Sequence, residues 1–596
     1  MRLHELGARS RAARDKKLAL IAMAALAALA LALAGSSSAS SRSKTYYAIG
    51  KRVCALPKKH TSLVAHCDAM VRVLVKAGTK GAQAFVPAAG AIGAGTLGPN
   101  NGLTPSDLAT AYGIDPSLGS TQTVAIVDAY NDPNINTDLQ TFDTQYGLST
   151  CSTGNGCLTV VNQTGGTMLP ASDTSGWSVE ESLDVEAVRA VCQGCKILLV
   201  EANSPTNSDL GTAENYAAAH ANEVSNSFGE PEAGTDSTFQ AAFNHTGVVI
   251  AASAGDDGYY SYDQWVNFAN ANQPNIPAAY PTVVAVGGTS LNLGQDATRQ
   301  SETVWNDNGP QDFWEFNFGV PIGAGGGGCS TMFTAPGWQS SEAVWASTAC
   351  GSNRLVADVS AVGDPLTGFD VRDTYDCGAI CESYGVPGWV TIGGTSLSSP
   401  LIAGMYALAG GAKGIPYPAL TAYAHIANAY DVTVGGNGWC DGIGAAGCAN
   451  PNSPGEALDC AYTANGGAVA AGDRACDALK GFDGPTGVGT PNGSTVGAPH
   501  TPKLFTRAAP AVVISGPTSV THNVSSMWSA TATDPFPGGT VNHFTWNWGD
   551  GTANTVMTTG AAVSHTYTTA GPFTITLTVK DNYNVVAVKT LNITAS

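Results

Sequence analysis

The sequence predicts an α/β domain, a parallel sheet flanked by helices, followed by a small β-sandwich. Three observations carry this. The runs Thr123–Asp128, Lys196–Val200, Val248–Ser253 and Thr282–Val286 are continuously apolar or β-branched and lie helix-lengths apart, the pattern of parallel strands buried on both faces. Near the C-terminus, Thr574-Ile-Thr-Leu-Thr-Val alternates with period two, and Asn547-Trp-Gly-Asp-Gly-Thr supplies turn chemistry between short strands. The 596 residues, 43% hydrophobic and only 12% charged, suffice for several folding units and exclude a mainly disordered chain.

From the N-terminus, Arg2, Arg9, Arg11, Arg14, Lys16 and Lys17 precede an apolar run from Leu18 to Ala34, and small residues follow. This is the order of an export signal, with cleavage expected near Ala39; an Ala-rich run of this length sits at the lower limit for spanning a bilayer. The chain is therefore expected to be secreted, with no membrane span after signal removal. Residues 40–100 read as a short pro-segment or a spacer, containing Cys54 and Cys67 and ending in the low-complexity stretch Val86–Gly98. A globular pattern runs from 101 to 496, a Pro- and Thr-containing linker from 497 to 510, and the sandwich from 511 to 596. With 27 Lys+Arg against 46 Asp+Glu, a nucleic-acid partner is not expected.

The 14 cysteines of an exported chain should be mostly paired. Close spacing suggests local bridges between Cys151 and Cys157 and between Cys377 and Cys381, and a cluster of Cys440, Cys448, Cys460 and Cys476. Cys192-Gln-Gly-Cys195 reads as a disulfide, since no matching metal-ligand pair stands near it.

Two Gly-Gly-Thr-Ser tetrapeptides occur. The first, ending in Ser290, has no helical continuation and reads as structural. The second, Gly393-Gly394-Thr395-Ser396, runs into Leu-Ser-Ser-Pro400-Leu-Ile-Ala-Gly-Met, which places Ser396 at the start of a buried helix with Pro400 in its first turn. There the free N–H groups and the helix dipole favour a developing oxyanion. A nucleophilic serine needs a base, yet His220, His245 and His425 stand in no catalytic context. In Trp177-Ser-Val-Glu180-Glu-Ser-Leu-Asp184-Val-Glu-Ala-Val188, Glu180 and Asp184 fall one helical turn apart on one face. A solvated acidic face has the same spacing. A further carboxyl, Asp256, follows the strand Val248–Ser253, where open α/β sheets place ligands, although an Asx turn has the same signature.

Together these motifs resemble the sedolisin family of serine-carboxyl peptidases, which have a subtilisin-like fold. The similarity includes Leu103-Thr-Pro-Ser-Asp-Leu-Ala-Thr-Ala-Tyr-Gly-Ile, Ala125-Ile-Val-Asp-Ala-Tyr-Asn-Asp-Pro, Ser225-Asn-Ser-Phe-Gly229, Gly255-Asp-Asp-Gly258, the glycine run before Cys329 and Gly393-Gly-Thr-Ser396. The resemblance implies a Ser396 nucleophile, Glu180 as general base, Asp184 orienting Glu180, and Asp256 as oxyanion partner. Ser225, Asn226, Ser227, Phe228 and Gly229 would bind an extended protein or peptide substrate. It also implies one Ca2+ held by Asp431, Val432, Leu479, Gly481 and Asp483, an oxygen donor set suited to a hard cation, although Leu479 stands where the family has glycine. Asp257 replaces the family's serine and is expected to raise the pKa of Asp256.

A Glu base accepts a proton in acid, where a histidine is already protonated. Asp256 assists an oxyanion only as a neutral acid. Acid activity of a monomeric endopeptidase is the expectation, with self-cleavage near residue 100. The rival readings are a subtilisin-type protease with a His base that uses Asp128, and a non-catalytic secreted or surface binding protein on the same fold. Trp546-Asn-Trp-Gly-Asp550-Gly and His565-Thr-Tyr-Thr-Thr-Ala-Gly-Pro resemble a polycystic kidney disease (PKD) domain, with Trp546 and Trp548 expected in its core.

Overall fold

The computed structural model describes residues 46–54, 64–76, 83–85, 98–118, 122–232, 237–259, 274–294, 297–307, 323–377, 386–412, 414–438, 474–493, 501–507, 509–534, 536, 538–583 and 585–596. The export signal, most of the Val86–Gly98 stretch, and Cys381, Cys440, Cys448 and Cys460 lie outside them. Among the described residues, no helix is long and apolar enough to cross a membrane.

The central sheet runs in the order Arg299–Val304, Val284–Leu293, Val249–Ser253, Glu223–Asn226, Thr123–Ala129, Lys196–Ala202, Leu158–Asn162, and Val359–Val362 also pairs with Val284–Leu293. All pairings are parallel except that of Arg299–Val304. The four expected strands are present within a few residues of their sequence bounds. Glu223–Asn226 has no apolar run to announce it, yet all four of its residues are buried. Ser225 Oγ and Asn226 Nδ2 find hydrogen-bond partners in the sheet interior, whereas the Glu223 carboxyl has none and burial pushes its pKa well up.

Two helices bring the candidate chemistry together. The carboxylate helix, Trp177–Val191, is buried at every position, so Glu180 and Asp184 do not form a solvated face. It packs on the serine helix, Thr395–Leu408, which is also buried throughout and lies against the central strands. Pro400 sits inside this helix, not in its first turn, because the helix already begins at Thr395. The proline's missing N–H leaves the carbonyl four residues back without its helical donor. That carbonyl belongs to Ser396 and accepts instead from Ser227 Oγ at 3.2 Å.

Residues 46–54 and 64–76 fold onto this domain. Tyr46–Arg52 and Met70–Val75 are antiparallel and extend a second sheet through Trp389–Gly393 and Phe369–Arg372, while His66–Cys67 pairs with Phe228–Pro231. A disulfide joins Cys54 to Cys67. Further disulfides join Cys151 to Cys157 and Cys192 to Cys195, as expected, and Cys329 to Cys350, whose wider spacing gave no local signal. The linker is anchored where described: Leu504 and Phe505 are fully buried, and Phe505 stacks on Tyr406 of the serine helix at 4.0 Å.

The C-terminal unit is a sandwich of a three-stranded and a five-stranded sheet. Trp528, Trp546, Trp548 and Tyr567 fill its core with Ile575, Leu577 and Val579. Phe536 leaves that core and packs with Ile415 and Leu420 of the α/β domain.

Candidate active site

Ser396 is the second residue of its helix, and Gly394 caps the helix at φ 92°, a left-handed conformation that favours glycine. A Cβ at Gly394 would strike the Asp68 carbonyl oxygen and stand 2.7 Å from Asp256 Oδ2. The serine's backbone N–H is thus available to a carbonyl arriving beside Asp256. In this structure it donates to Asp68 O at 3.0 Å.

Asp256 is held on one side only. Its Oδ1 accepts from Thr395 N at 2.7 Å and Thr395 Oγ1 at 2.9 Å, while Oδ2 is buried without a hydrogen bond. Burial and then the nearby Asp68 carboxylate push its pKa well up, against opposing contributions from Thr395 and Arg52. Asp257 is not the group responsible, contrary to expectation, because its carboxylate pairs with Arg52. A neutral Asp256 carries its proton on the uncommitted Oδ2, which suits it to donate to an oxyanion.

The Ser396 hydroxyl donates to Ser227 O at 3.1 Å. Neither Glu180 oxygen makes a hydrogen bond of normal geometry, although the nearby hydroxyl still favours the charged carboxylate. Burial dominates and, with Asp184, Asp128 and Asp68, pushes the Glu180 pKa well up. Asp184 is raised by burial, eased by Ser227 Oγ donating to its Oδ1 at 2.8 Å. Asp184 therefore bears on Glu180 by charge and on the serine loop through Ser227. Asp128, at the end of its strand, belongs to the same group and is raised by burial, Asp184 and Glu201. Three carboxyls at 0% exposure hold far less than three charges, so their protons are shared. In the sequence Asp128 is a strand-end aspartate and a candidate only for the rival His-base reading; its place beside Glu180 and Asp184 required the packing of two helices over the sheet.

The proposed peptide-binding segment divides in two. Ser225 and Asn226 belong to the central strand, with Ser225 Oγ 3.0 Å from Ser399 Oγ and Asn226 Nδ2 donating to Ala251 O at 3.3 Å. Both are buried within the sheet, whereas the backbone of Ser227, Phe228 and Gly229 pairs with residues 66–68. None of His220, His245 and His425 shares a hydrogen bond with Ser396, Glu180 or Asp184: their ring contacts are with Tyr216 O, Asn215 Oδ1 and Thr421 O. Ser290 is structural, donating to Asp364 Oδ2 at 2.7 Å.

The residues expected to bind calcium gather on two facing segments. Gly481 N donates to Asp431 Oδ1 at 3.1 Å and Oδ2 at 3.0 Å; Leu479 N donates to Asp483 Oδ2 at 3.0 Å. Val432 is buried beside them. All-oxygen donors fit a hard cation in kind. However, Arg474 Nη1 already donates to Leu479 O at 3.4 Å and Phe482 O at 2.8 Å, so an ion would share this loop with a guanidinium. A second group, Asp132, Asp138 and Asp373, could also hold a cation by spacing, and the sequence reading did not single it out.

Comparison with known proteins follows this geometry. Residues 159–442 match the Subtilase family and residues 507–595 match the PKD domain. The chain is 32% identical over 324 residues to kumamolisin of Bacillus sp. (strain MN-32), covering 51% of this chain and 51% of that protein. It is 27% identical over 376 residues to sedolisin of Pseudomonas sp. (strain 101), covering 59% and 58%. The chain carries a sedolisin-like subtilase region and a PKD domain. A solved structure of Pseudomonas sedolisin, a serine-carboxyl proteinase complexed with two molecules of pseudo-iodotyrostatin, aligns at TM-score 0.49 and 25% identity, covering 66% of this chain and 96% of that one. The chain spans a little over half the length of these two curated relatives. Ser396, Glu180, Asp184 and Asp256 all fall within residues 159–442.

Proposed function

We propose that the chain is a secreted serine-type endopeptidase that hydrolyses protein or peptide substrates in acid, as a monomer. One observation carries this reading: the Ser396 N–H and the uncommitted oxygen of buried Asp256 converge where a peptide carbonyl oxygen sits, with Glu180 beside the serine hydroxyl. Ser396 Oγ attacks the carbonyl carbon and its proton passes to Glu180. Asp184, through its charge on Glu180 and its bond from Ser227, keeps that base in place. Asp256 donates to the oxyanion, and Glu180 returns the proton to the leaving amine. The base works only while the Glu180–Asp184–Asp128 group holds a negative charge, and the oxyanion partner only while Asp256 is protonated. Activity therefore falls on both sides of an acidic optimum.

The layout we assign is an export signal at 1–39, a short pro-segment or spacer at 40–100, the peptidase domain at 101–496, a linker at 497–510 and the PKD-like sandwich at 511–596. Export is supported by the described cysteines, none of which is free. We place one structural Ca2+ at Asp431, Val432, Leu479, Gly481 and Asp483, with no part in the chemical step. A chelator should lower the Tm; an unchanged Tm with no metal by elemental analysis would refute the ion.

The deciding measurement is the pH–rate profile for casein with wild type, Ser396→Ala and Glu180→Gln. Activity confined to acid in wild type and lost in both variants is the expected result. Full activity in Glu180→Gln, or an optimum above about pH 7, would reject the mechanism.

A further inference from the structure

Residues 66–71 lie in the cleft as a bound peptide would. His66 and Cys67 pair antiparallel with Gly229 and Phe228. Two residues further on, Met70 and Val71 pair antiparallel with Gly393 and Ile392, the strand that leads into Ser396. The chain therefore crosses the serine between two edge strands, the geometry by which a sheet edge holds an extended peptide. The residue at the crossing is Asp68. Its N–H donates to Ser227 O at 3.1 Å, and its carbonyl oxygen accepts from Ser396 N at 3.0 Å on the Asp256 side of the cleft.

The Asp68 side chain is itself received. It is 0% exposed, Oδ2 accepts from Ser253 Oγ at 2.7 Å, and Oδ1 is 3.4 Å from His66 Nε2. Ser253 ends a central strand and belongs to the body of the enzyme, so this contact is a protein pocket holding a short acidic side chain.

The arm is braced on both sides of the crossing. Cys67 is bridged to Cys54, Val53 N donates to Ala69 O at 3.0 Å, and Met70–Val75 is paired along Tyr47–Arg52. Arg52, at the end of that strand, pairs with Asp257 next to the oxyanion acid.

We propose that the Ser253 pocket selects an aspartyl side chain on the acyl side of the bond to be cut, and that the enzyme's first substrate is its own Asp68–Ala69 bond. This rests on the reading of Ser396 as nucleophile. In the self-cut, Ser396 Oγ bonds to the Asp68 carbonyl carbon and gives its proton to Glu180. The carbon–nitrogen bond to Ala69 breaks, and the Ala69 amine takes that proton. One water then hydrolyses the ester, leaving a carboxylate on Asp68 and restoring the serine. Cys54 and Cys67 both lie upstream of the cut, so the pairing of Tyr47–Arg52 with Met70–Val75 is what holds the two fragments together, and cleavage alone does not clear the cleft. Until the arm leaves, the chain is its own inhibitor.

The test uses the full chain as secreted. Wild type, Ser396→Ala and Asp68→Lys are incubated in acid and followed by N-terminal sequencing and intact mass, with and without reductant. The matured enzyme is then assayed on peptides that differ only in Asp, Leu or Lys before the cut bond. Expected are a new terminus at Ala69 in wild type, its absence in Ser396→Ala, at least tenfold slower cutting in Asp68→Lys, and an upstream fragment whose release does not depend on reductant, since Cys54 and Cys67 both lie within it. Asp should exceed Lys in kcat/KM by at least tenfold, and Ser253→Ala should narrow that ratio. A terminus elsewhere, such as near residue 100, or equal rates for Asp and Lys peptides, would overturn the inference while leaving the peptidase reading intact. Casein hydrolysis persisting in Ser396→Ala would instead defeat the peptidase reading itself.

Discussion

In the C-terminal sandwich, buried Asp581 pairs with Arg507 and accepts from Tyr583 N and Val585 N at 2.8 Å, and Asp534 stands 3.0 Å from the same guanidinium. In the α/β domain, Glu180, Asp184 and Asp128 are equally buried, but among the described residues no cation pairs with them and most of their oxygens lack a hydrogen bond. The first arrangement answers each buried charge where it arises. The second leaves acids without counter-charge, at a cost in stability that only raised pKa values and shared protons relieve. Buried acids left unanswered beside a helix-start serine mark where the fold yields stability to chemistry.

Equivalent substitutions should separate the two regions. Glu180→Gln should lower kcat/KM by at least about 10³-fold, the scale of losing a general base together with its coupling to the cluster. Its Tm should hold or rise, since an unpaired buried acid is gone. Asp581→Asn should do the reverse, costing on the order of 3 kcal/mol by leaving buried Arg507 with Asp534 as its one carboxylate among the described residues, while peptide hydrolysis is unchanged. Loss of stability in the first variant, or of activity in the second, would break the contrast.

Asp256→Asn sharpens it further. The amide oxygen can still accept from Thr395 and the amide nitrogen can still donate, but the group no longer titrates. Activity should fall by roughly tenfold, and its decline toward neutral pH should move upward or vanish in the pH–rate profile.

Stability against pH should show the same buried acids collectively. In the folded chain Asp132 is pushed up to about 7 and Glu201 to about 9, burial being the main cause for each. Between the unfolded and folded pKa values the native state keeps protons that the unfolded chain releases. The stabilisation is full below about pH 4 and is lost as pH rises, at up to about 1.4 kcal/mol per pH unit for each group. Tm should therefore decrease from pH 4 toward 7, and Glu201→Gln should flatten the slope. The smallest effect is expected where the two domains meet: Phe536→Leu should cost about 1 kcal/mol, read in chemical denaturation, because it only trims the contact with Ile415 and Leu420.

Much of this was legible in local pattern. Continuous apolar runs located four central strands, the four-residue spacing of Glu180 and Asp184 located two acids, and glycines before a small-residue helix located Ser396. The errors were local too. Pro400 lies deeper in its helix than the local pattern indicates, because the helix begins at Thr395, and Ser225 and Asn226 are buried in a central strand although their polarity reads as an edge. Asp257 was credited with an influence that its pairing with Arg52 removes.

By itself the sequence determined which segments become strands and helices, and which of them carry acids or a nucleophile, because those properties follow from neighbours within a turn or a few residues. The tertiary structure alone decided that Asp128 joins Glu180 and Asp184, that Asp256 keeps one oxygen uncommitted, and that Asp68 lies across Ser396. Those outcomes depend on groups far apart in the chain meeting where water is excluded, and the strength of a charge or a proton's affinity is set there by burial and by partners that no local pattern reveals.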